Sequence, residues 1–452
     1  MDKDNNNKDN NNNDNNNNNN NNNNENKNEN KKKEKEPKVE EKKPSKFKSM
    51  KDNIKNKISG FRKGVESKVV SPLTENIGLL ILGLTVFLLL IIVIFFSSNY
   101  KTSRTLNLLN SYQRYQSLKS YYFRKTSSNE ILGNHYIASS FNSCNVKRGL
   151  FSYLSLDVFI NILRSGARYI EVKIFNNKFG DKNTQPIINN GLEEGEWKLC
   201  LNDIMFEDFC IAIKTHAFTY KKRLETNKEE GVLNPDDPLI LSLDLKTRNN
   251  IFTLDETAKI INRHLSEYLL PAQYRNSAGN LFDTPMSELK KKLIILSSPG
   301  YEGSMLGGII NGNWGPDGNI LRYTAKEIDL MSENEKMTVK ERVKKQLTII
   351  VPEDINKEMD LNIFKSQNYD IKPLFDMGCQ FISIYYQGGD LSSDEYITKF
   401  RNVSFITKPL VLRKEYMEPE IKDEKETKEK ATYAIYKKKL QEAADYLSKI
   451  KE

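Results

Sequence analysis

Glu171 and Lys173 stand two residues apart in the β-rich run Arg168–Phe175, so on a strand both project from the same face. A carboxylate and an ammonium sharing a face can neutralise one another, and a resident ammonium repels the divalent cation such a carboxylate would otherwise bind. Asp244 closes a second β-rich run, Pro238–Asp244, and offers another carboxylate. Other chemistry-bearing residues are sparse. There are three histidines, His135, His216 and His264; the first precedes a β-rich run and the other two fall on helical patterns. The four cysteines, Cys144, Cys200, Cys210 and Cys379, lack metal-ligand spacing and leave the redox compartment open. Gly300 to Gly318 is rich in Gly and Asn but has no G-x-x-x-x-G-K spacing, and no dinucleotide fingerprint occurs elsewhere.

The elements that must position these residues alternate along the chain. β-rich runs cover Tyr136–Ser140, Arg168–Phe175, Gln185–Asn189, Pro238–Asp244, Leu293–Ser297, Leu347–Val351, Gln380–Tyr385 and Phe405–Pro409. Amphipathic helical patterns cover Ser155–Ser165, Phe206–Phe218, Leu254–Tyr268, Ala325–Lys345 and Ile371–Met377. Strands alternating with helices predict a parallel α/β fold, either an open doubly wound sheet or a closed eight-stranded barrel.

A set of longer motifs points to the barrel. Ser139-Ser140-Phe141-Asn142, Gly166-Ala167-Arg168-Tyr169-Ile170-Glu171-Val172-Lys173, Pro186-Ile187-Ile188-Asn189-Asn190-Gly191 and Leu239-Ile240-Leu241-Ser242-Leu243-Asp244 follow in order. Gly378-Cys379-Gln380, Gln387, Lys408-Pro409 and Arg413 come near the other end. In order and spacing these resemble the X and Y boxes of the phosphoinositide-specific phospholipase C family. The resemblance covers about residues 131–299 and 340–413 and implies a TIM (β/α)8 barrel of the phosphodiesterase type. Residues 131–299 are then the X-box half, 300–340 a connecting segment and 341–413 the Y-box half.

The same resemblance implies a damaged site. The family's two catalytic histidines fall at Phe141 and Asn190. Its calcium ligands fall at Asn142, Glu171, Lys173 and Asp244, so the asparagine and two carboxylates are kept while one carboxylate has become an ammonium. The lysines that hold the inositol phosphates become Ser297 and Pro299, and an arginine after the sixth strand falls near Ile363. Cleaving the phosphodiester needs a base on the inositol hydroxyl and an acid on the leaving oxygen, each worth ~10²–10⁴-fold. Phenylalanine and asparagine supply neither. Two readings of Lys173 stand: an internal Glu171–Lys173–Asp244 cluster that replaces calcium, or a side chain reaching out of the mouth. Either way no metal cofactor is expected. Helices ring the outside of such a barrel, so His216 and His264 cannot stand in, and His135 lies at its far end.

Outside the barrel, residues 1–68 form an Asn-rich, then Lys/Glu-rich tail too polar to pack. The apolar run 77–96 has the length of one helical pass across a bilayer and no polar face, and it begins too far along the chain and runs too long for a signal peptide. Lys57, Arg62, Lys63 and Lys68 before it outweigh Lys101, Arg104 and Arg114 after it, which predicts a cytosolic N-terminus. The Asn402-Val403-Ser404 sequon is compatible with this topology. Residues 100–130 read as a stalk. The charged tail 414–452 carries one apolar stripe over Lys428 to Lys451, for a helix that docks on the barrel or binds a partner or membrane surface. A net charge of +9 without a tight basic cluster gives no case for nucleic acid. The leading expectation is a single-pass membrane protein whose barrel has lost catalysis and binds a phospholipid headgroup or a protein. The alternatives are an active phosphodiesterase with altered catalytic residues, and a structural ectodomain.

Overall fold

The computed structural model describes residues 56–57, 59–60, 77–123, 130–147, 152–178, 184–192, 197–222, 229–275, 281–353, 368–414, 436–440 and 442. Most of the 1–68 tail, most of the 414–452 tail and Ile363 therefore lie outside the described residues. The chain divides into two units, Met1–Phe87 and Leu88–Glu452, and everything described below belongs to the second, apart from the first residues of one long helix.

That helix, α1, runs from Ile77 to Arg114 without a break. The apolar run and the first part of the expected stalk are thus one element, long and apolar enough over its N-terminal part to cross a membrane. Eight parallel strands follow: β1 His135–Ser140, β2 Tyr169–Asn176, β3 Leu239–Lys246, β4 Leu293–Ser297, β5 Gly312–Asn313, β6 Leu321–Thr324, β7 Thr348–Val351 and β8 Phe381–Ile384. They pair in chain order, and β8 pairs back onto β1 in parallel register, with Ile137 beside Phe381. The ends of the path, β5 and β6, meet at a parallel bridge between Trp314 and Ile320, where Ile320 N–H donates to the Asn313 carbonyl at 3.0 Å. The ring closes as a (β/α)8 barrel.

Alternation sorts the strand side chains into two cores. Ile137, Tyr169, Ile240, Ile294, Ile349 and Phe381 fill the barrel interior. Their neighbours Ala138, Ile170, Leu241, Ile295, Ile350 and Ile382 face outward into the layer under the helices. The helices of this layer are α2 Leu156–Arg164, α3 Phe206–His216, α4 Ile251–Leu265, α5 Ala325–Leu330, α6 Glu333–Val343, α7 Lys372–Met377 and α8 Leu391–Lys399.

Several expectations are corrected. Gln185–Asn189 is not a barrel strand: Pro186–Asn189 runs antiparallel on the outer part of β2, Lys173 beside Asn189. Phe405–Pro409 likewise supplies Phe405–Thr407, antiparallel to β1 at its start. The two barrel strands missing from the sequence reading lie inside 300–340, which was expected only to connect. Both are short, and β5 is a Gly-Asn pair with no apolar alternation to betray it. The single helix expected over Ala325–Lys345 is two, because Ser332 restarts it with a capping box to Glu335, as Thr324 does with Glu327.

The Gly378-Cys379-Gln380 motif has a plain structural reason. Gly378 ends α7 in the left-handed region, φ 87°, where a side chain is disfavoured. Gln380 then braces the lower end of the barrel: its amide donates to the Gly133 and Val343 carbonyls at 3.0 Å and accepts from Thr348 N–H at 3.0 Å.

Candidate functional site

The strands' C-terminal ends define the mouth, and three inward positions of β2 descend from it: Lys173, Glu171 and Tyr169. Glu171 is fully buried. Its two carboxylate oxygens accept from both terminal nitrogens of Arg322 at 2.8 Å, and Oε2 also accepts from the Tyr169 hydroxyl at 2.7 Å. Arg322 comes from β6, across the barrel, and its guanidinium lies over the Trp314 ring at 4.0 Å. The Trp314 indole N–H donates to Ser242 Oγ at 3.3 Å. One network thus joins β2, β3, β6 and the β5–β6 turn.

Electrostatics follow from this packing. Burial tends to strip the proton from Arg322, yet the charge and hydrogen bonds of Glu171 outweigh it and hold the guanidinium protonated beyond its ordinary range. Burial, then the Glu171 charge, pushes the Tyr169 phenol well above its usual value, against the opposing pull of Arg322 and Ser242. Tyr169 therefore stays a hydrogen-bond donor. A planar fork meeting a carboxylate in two parallel bonds is the geometry in which a buried pair satisfies itself most fully.

Lys173 is 1% exposed on the same inward parity and sits beside Asp244 in the β2–β3 register. Asp244 also pairs with Lys246, Nζ to Oδ1 3.0 Å. Lys173 is therefore held inside rather than reaching out of the mouth. The predicted cluster of Glu171, Lys173 and Asp244 needs one correction: the cation bonded directly to Glu171 is Arg322, which the sequence reading did not single out. The signal is an arginine at the inward parity of a short strand, two residues after Ile320, in a segment whose Gly- and Asn-rich start masks the strand.

The remaining predicted positions are scattered by comparison. Phe141 is buried edge-on against Tyr385, ring centroids 5.4 Å apart. Asn142 takes a left-handed conformation, φ 45°, and its amide donates to the Tyr385 hydroxyl at 3.4 Å. Gln387 fixes that turn by donating to the Asn142 and Asn145 carbonyls at 3.3 and 3.0 Å. Asn190 is buried: its N–H donates to Asn189 Oδ1 at 2.6 Å, and its own side-chain oxygen has no hydrogen-bond partner among the described residues. Ser297 shares the outward parity of Leu293 and Ile295, and its hydroxyl donates to the Ser298 carbonyl at 2.9 Å, so it does not line the interior. Pro299 lies exposed on the rim.

The histidines lie elsewhere. His135 begins β1 at the opposite end, where Nδ1 meets the Ile131 carbonyl at 2.8 Å and Nε2 the Tyr121 hydroxyl at 3.0 Å. His216 ends α3, and His264 on α4 meets Glu207 at 2.8 Å.

A calcium ion does not fit this donor set. Such an ion takes six to eight oxygens, roughly, from carboxylates, carbonyls and water. Here both Glu171 oxygens are engaged by a guanidinium, Lys173 occupies the same face and Lys246 pairs with Asp244. A guanidinium and an ammonium already pair with the two carboxylates, and Lys173 is buried on the same face.

Residues 128–299 match the family model described as phosphatidylinositol-specific phospholipase C, X domain, a stretch that carries β1 to β4. No curated protein matches the chain. Among solved structures, the chain is similar to PLC21 of L. pealei, with 19% identity over 64% of this chain and 38% of that one, TM-score 0.48. It is similar to PLC21 of S. officinalis at 19% identity over the same shares, TM-score 0.49. A phosphatidylinositol-specific phospholipase C from Listeria monocytogenes is 13% identical over 61% of this chain and 96% of its own, TM-score 0.35. The chain spans 38% of the length of the two PLC21 proteins.

Proposed function

We propose that this chain, whose residues 128–299 match the X domain of phosphatidylinositol-specific phospholipase C, is a membrane-anchored barrel without phosphodiesterase activity that serves as a binding module. The observation that carries this reading is the Glu171–Arg322 pair. A carboxylate bound through both oxygens to a guanidinium is not free to hold a metal cation, and Phe141 and Asn190 stand where the resemblance puts the acid and base. The partner of such a barrel is a phospholipid headgroup or a protein. The anchor is the apolar part of α1, with the N-terminus cytosolic.

The test is calorimetric titration of the purified chain with calcium, then with inositol phosphates. No calcium heat is expected up to low-millimolar levels, the range of protein calcium sites. A clear calcium isotherm would contradict the reading, since it would require Arg322 to release Glu171. Topology is tested by protease digestion of sealed microsomes: the residues after the span should be protected until detergent is added.

A further inference from the structure

We infer that α1 does more than anchor the barrel: it holds the barrel mouth-first against the membrane in which it is embedded, so that the mouth rim meets the lipid headgroups. This rests on the reading of the apolar part of α1 as a membrane span.

The docking of the helix sets this orientation. Within the unit Leu88–Glu452, α1 fills a place between α2 and α8 in the outer layer, with Leu109 fully buried there. Its contacts fix its direction. Near its middle, Lys101 lies over the Tyr153 ring at 6.0 Å and Thr105 Oγ1 donates to the Val146 carbonyl at 2.9 Å. Both partners are in the loop after β1, on the mouth side. One turn further, Leu108 packs at Gly389, in the loop after β8, also on the mouth side. Gln113 then reaches Asn161 in the body of α2, and Gln116 donates to the Ser165 carbonyl at the end of α2, 2.8 Å. Beyond the helix, Ser117 and Lys119 N–H groups bond the Arg401 and Asn402 carbonyls after α8, at 3.0 and 2.9 Å. The helix therefore descends from mouth to base, and what precedes Lys101 emerges at the mouth.

What emerges is apolar. Leu88 to Val93 and Phe96 are all exposed. At a rise of ~1.5 Å per residue, the nine residues from Phe96 to Thr105 span only about 13 Å of unbroken helix. The rim is suited to that surface. Trp197, 66% exposed, and Leu201 stand beside the loop after β1, to which Leu201 N–H is bonded at Ser152. Lys198 Nζ is fixed to the Asn177 carbonyl just above β2 at 2.7 Å. Lys147, Lys178 and Arg248 are exposed on the loops after β1, β2 and β3, where anionic headgroups would be attracted.

The chain has two tryptophans, Trp197 and Trp314. Trp314→Phe leaves Trp197 as a native probe of the rim. The full chain is reconstituted in phosphatidylcholine–phosphatidylserine vesicles whose acyl chains are brominated at shallow positions. We expect Trp197 emission to be quenched, while a single tryptophan at the base, W197F/W314F/L410W, keeps its emission. A flexible Gly-Ser insertion between Tyr100 and Lys101 should abolish the Trp197 quenching. Equal or stronger quenching at the base overturns the inference while leaving the span intact. Quenching that survives the insertion overturns the role given to α1. Release of the chain by alkaline carbonate would show instead that the span reading fails, and the inference with it.

Discussion

Two cations at opposite ends of the barrel, one partly and one fully buried, are treated in opposite ways. Arg322, near the mouth, is bound in a fork by Glu171 and kept charged. Lys408, at the base, is 1% exposed, and its amine has no hydrogen-bond partner among the described residues. Burial draws its pKa down to about 7, against a smaller opposing effect from the Cys379 thiol. The base carries its buried cation by letting it become neutral; the mouth carries its own by pairing it with the carboxylate that a metal would need. The functional end is thus electrostatically closed on itself, and the structural end is the one that responds to pH.

Breaking the mouth pair should have the largest effect. Arg322→Ala strands the fully buried Glu171 carboxylate and should cost about 3–5 kcal/mol in chemical denaturation of the detergent-solubilised chain; Glu171→Ala strands the partly exposed Arg322 and should cost less. The double change to methionine should recover most of that loss, because an apolar pair of similar volume leaves no charge unpaired. Single variants as stable as the parent would mean that the pair is solvated.

At the base the comparison can be sharpened with pH. Lys408 has a folded pKa of about 7, below the 10.5 of the unfolded chain. Between those values the unfolded chain binds a proton that the folded one does not, so stability should rise with pH from about 7 upward. The slope is on the order of 1.4 kcal/mol per unit. Below pH 7 this contribution is flat. Lys408→Met should flatten the slope and raise stability at neutral pH, as read from denaturation midpoints across the range.

His135 gives a narrower window of the same kind. Burial lowers its pKa to about 4, helped by the Lys408 and Arg413 charges and opposed by the bond to the Ile131 carbonyl. The folded imidazole stays neutral while the unfolded one protonates below about 6.5, so stability should fall as pH drops from 6.5 to 4. His135→Gln should remove that fall while leaving the Lys408 slope in place.

These contrasts also show what could be read from the sequence. The (β/α)8 class was legible because six barrel strands carry apolar runs rich in Ile, Leu, Val, Phe or Tyr, and the motifs around Glu171 and Asp244 set their order. Strands β5 and β6 were not, since Gly312–Asn313 has no apolar pattern and Leu321–Thr324 places Arg322 inside a four-residue strand that has no run of apolar residues. Losing β6 meant losing Arg322, whose importance comes from the barrel closing upon Glu171 rather than from any local motif. Asn142 and Ser297 were located in sequence but not in direction: a left-handed turn swings the first toward Tyr385, and strand parity turns the second outward. Lys173 is buried, beside Asp244 in the β2–β3 register.

The central claim is that this mouth no longer cleaves a phosphodiester. The most direct test is release of inositol phosphate from phosphatidylinositol vesicles by the purified full chain, with and without calcium, beside Phe141→His, Asn190→His and the triple F141H/N190H/K173D. The account predicts no turnover by the unmodified chain under either condition. It predicts none by the single variants either, because residues that act as a unit restore little one at a time; the triple change is the smallest set in which calcium-dependent turnover could appear. Robust release by the unmodified chain, abolished by Glu171→Ala or Asp244→Ala, would contradict it.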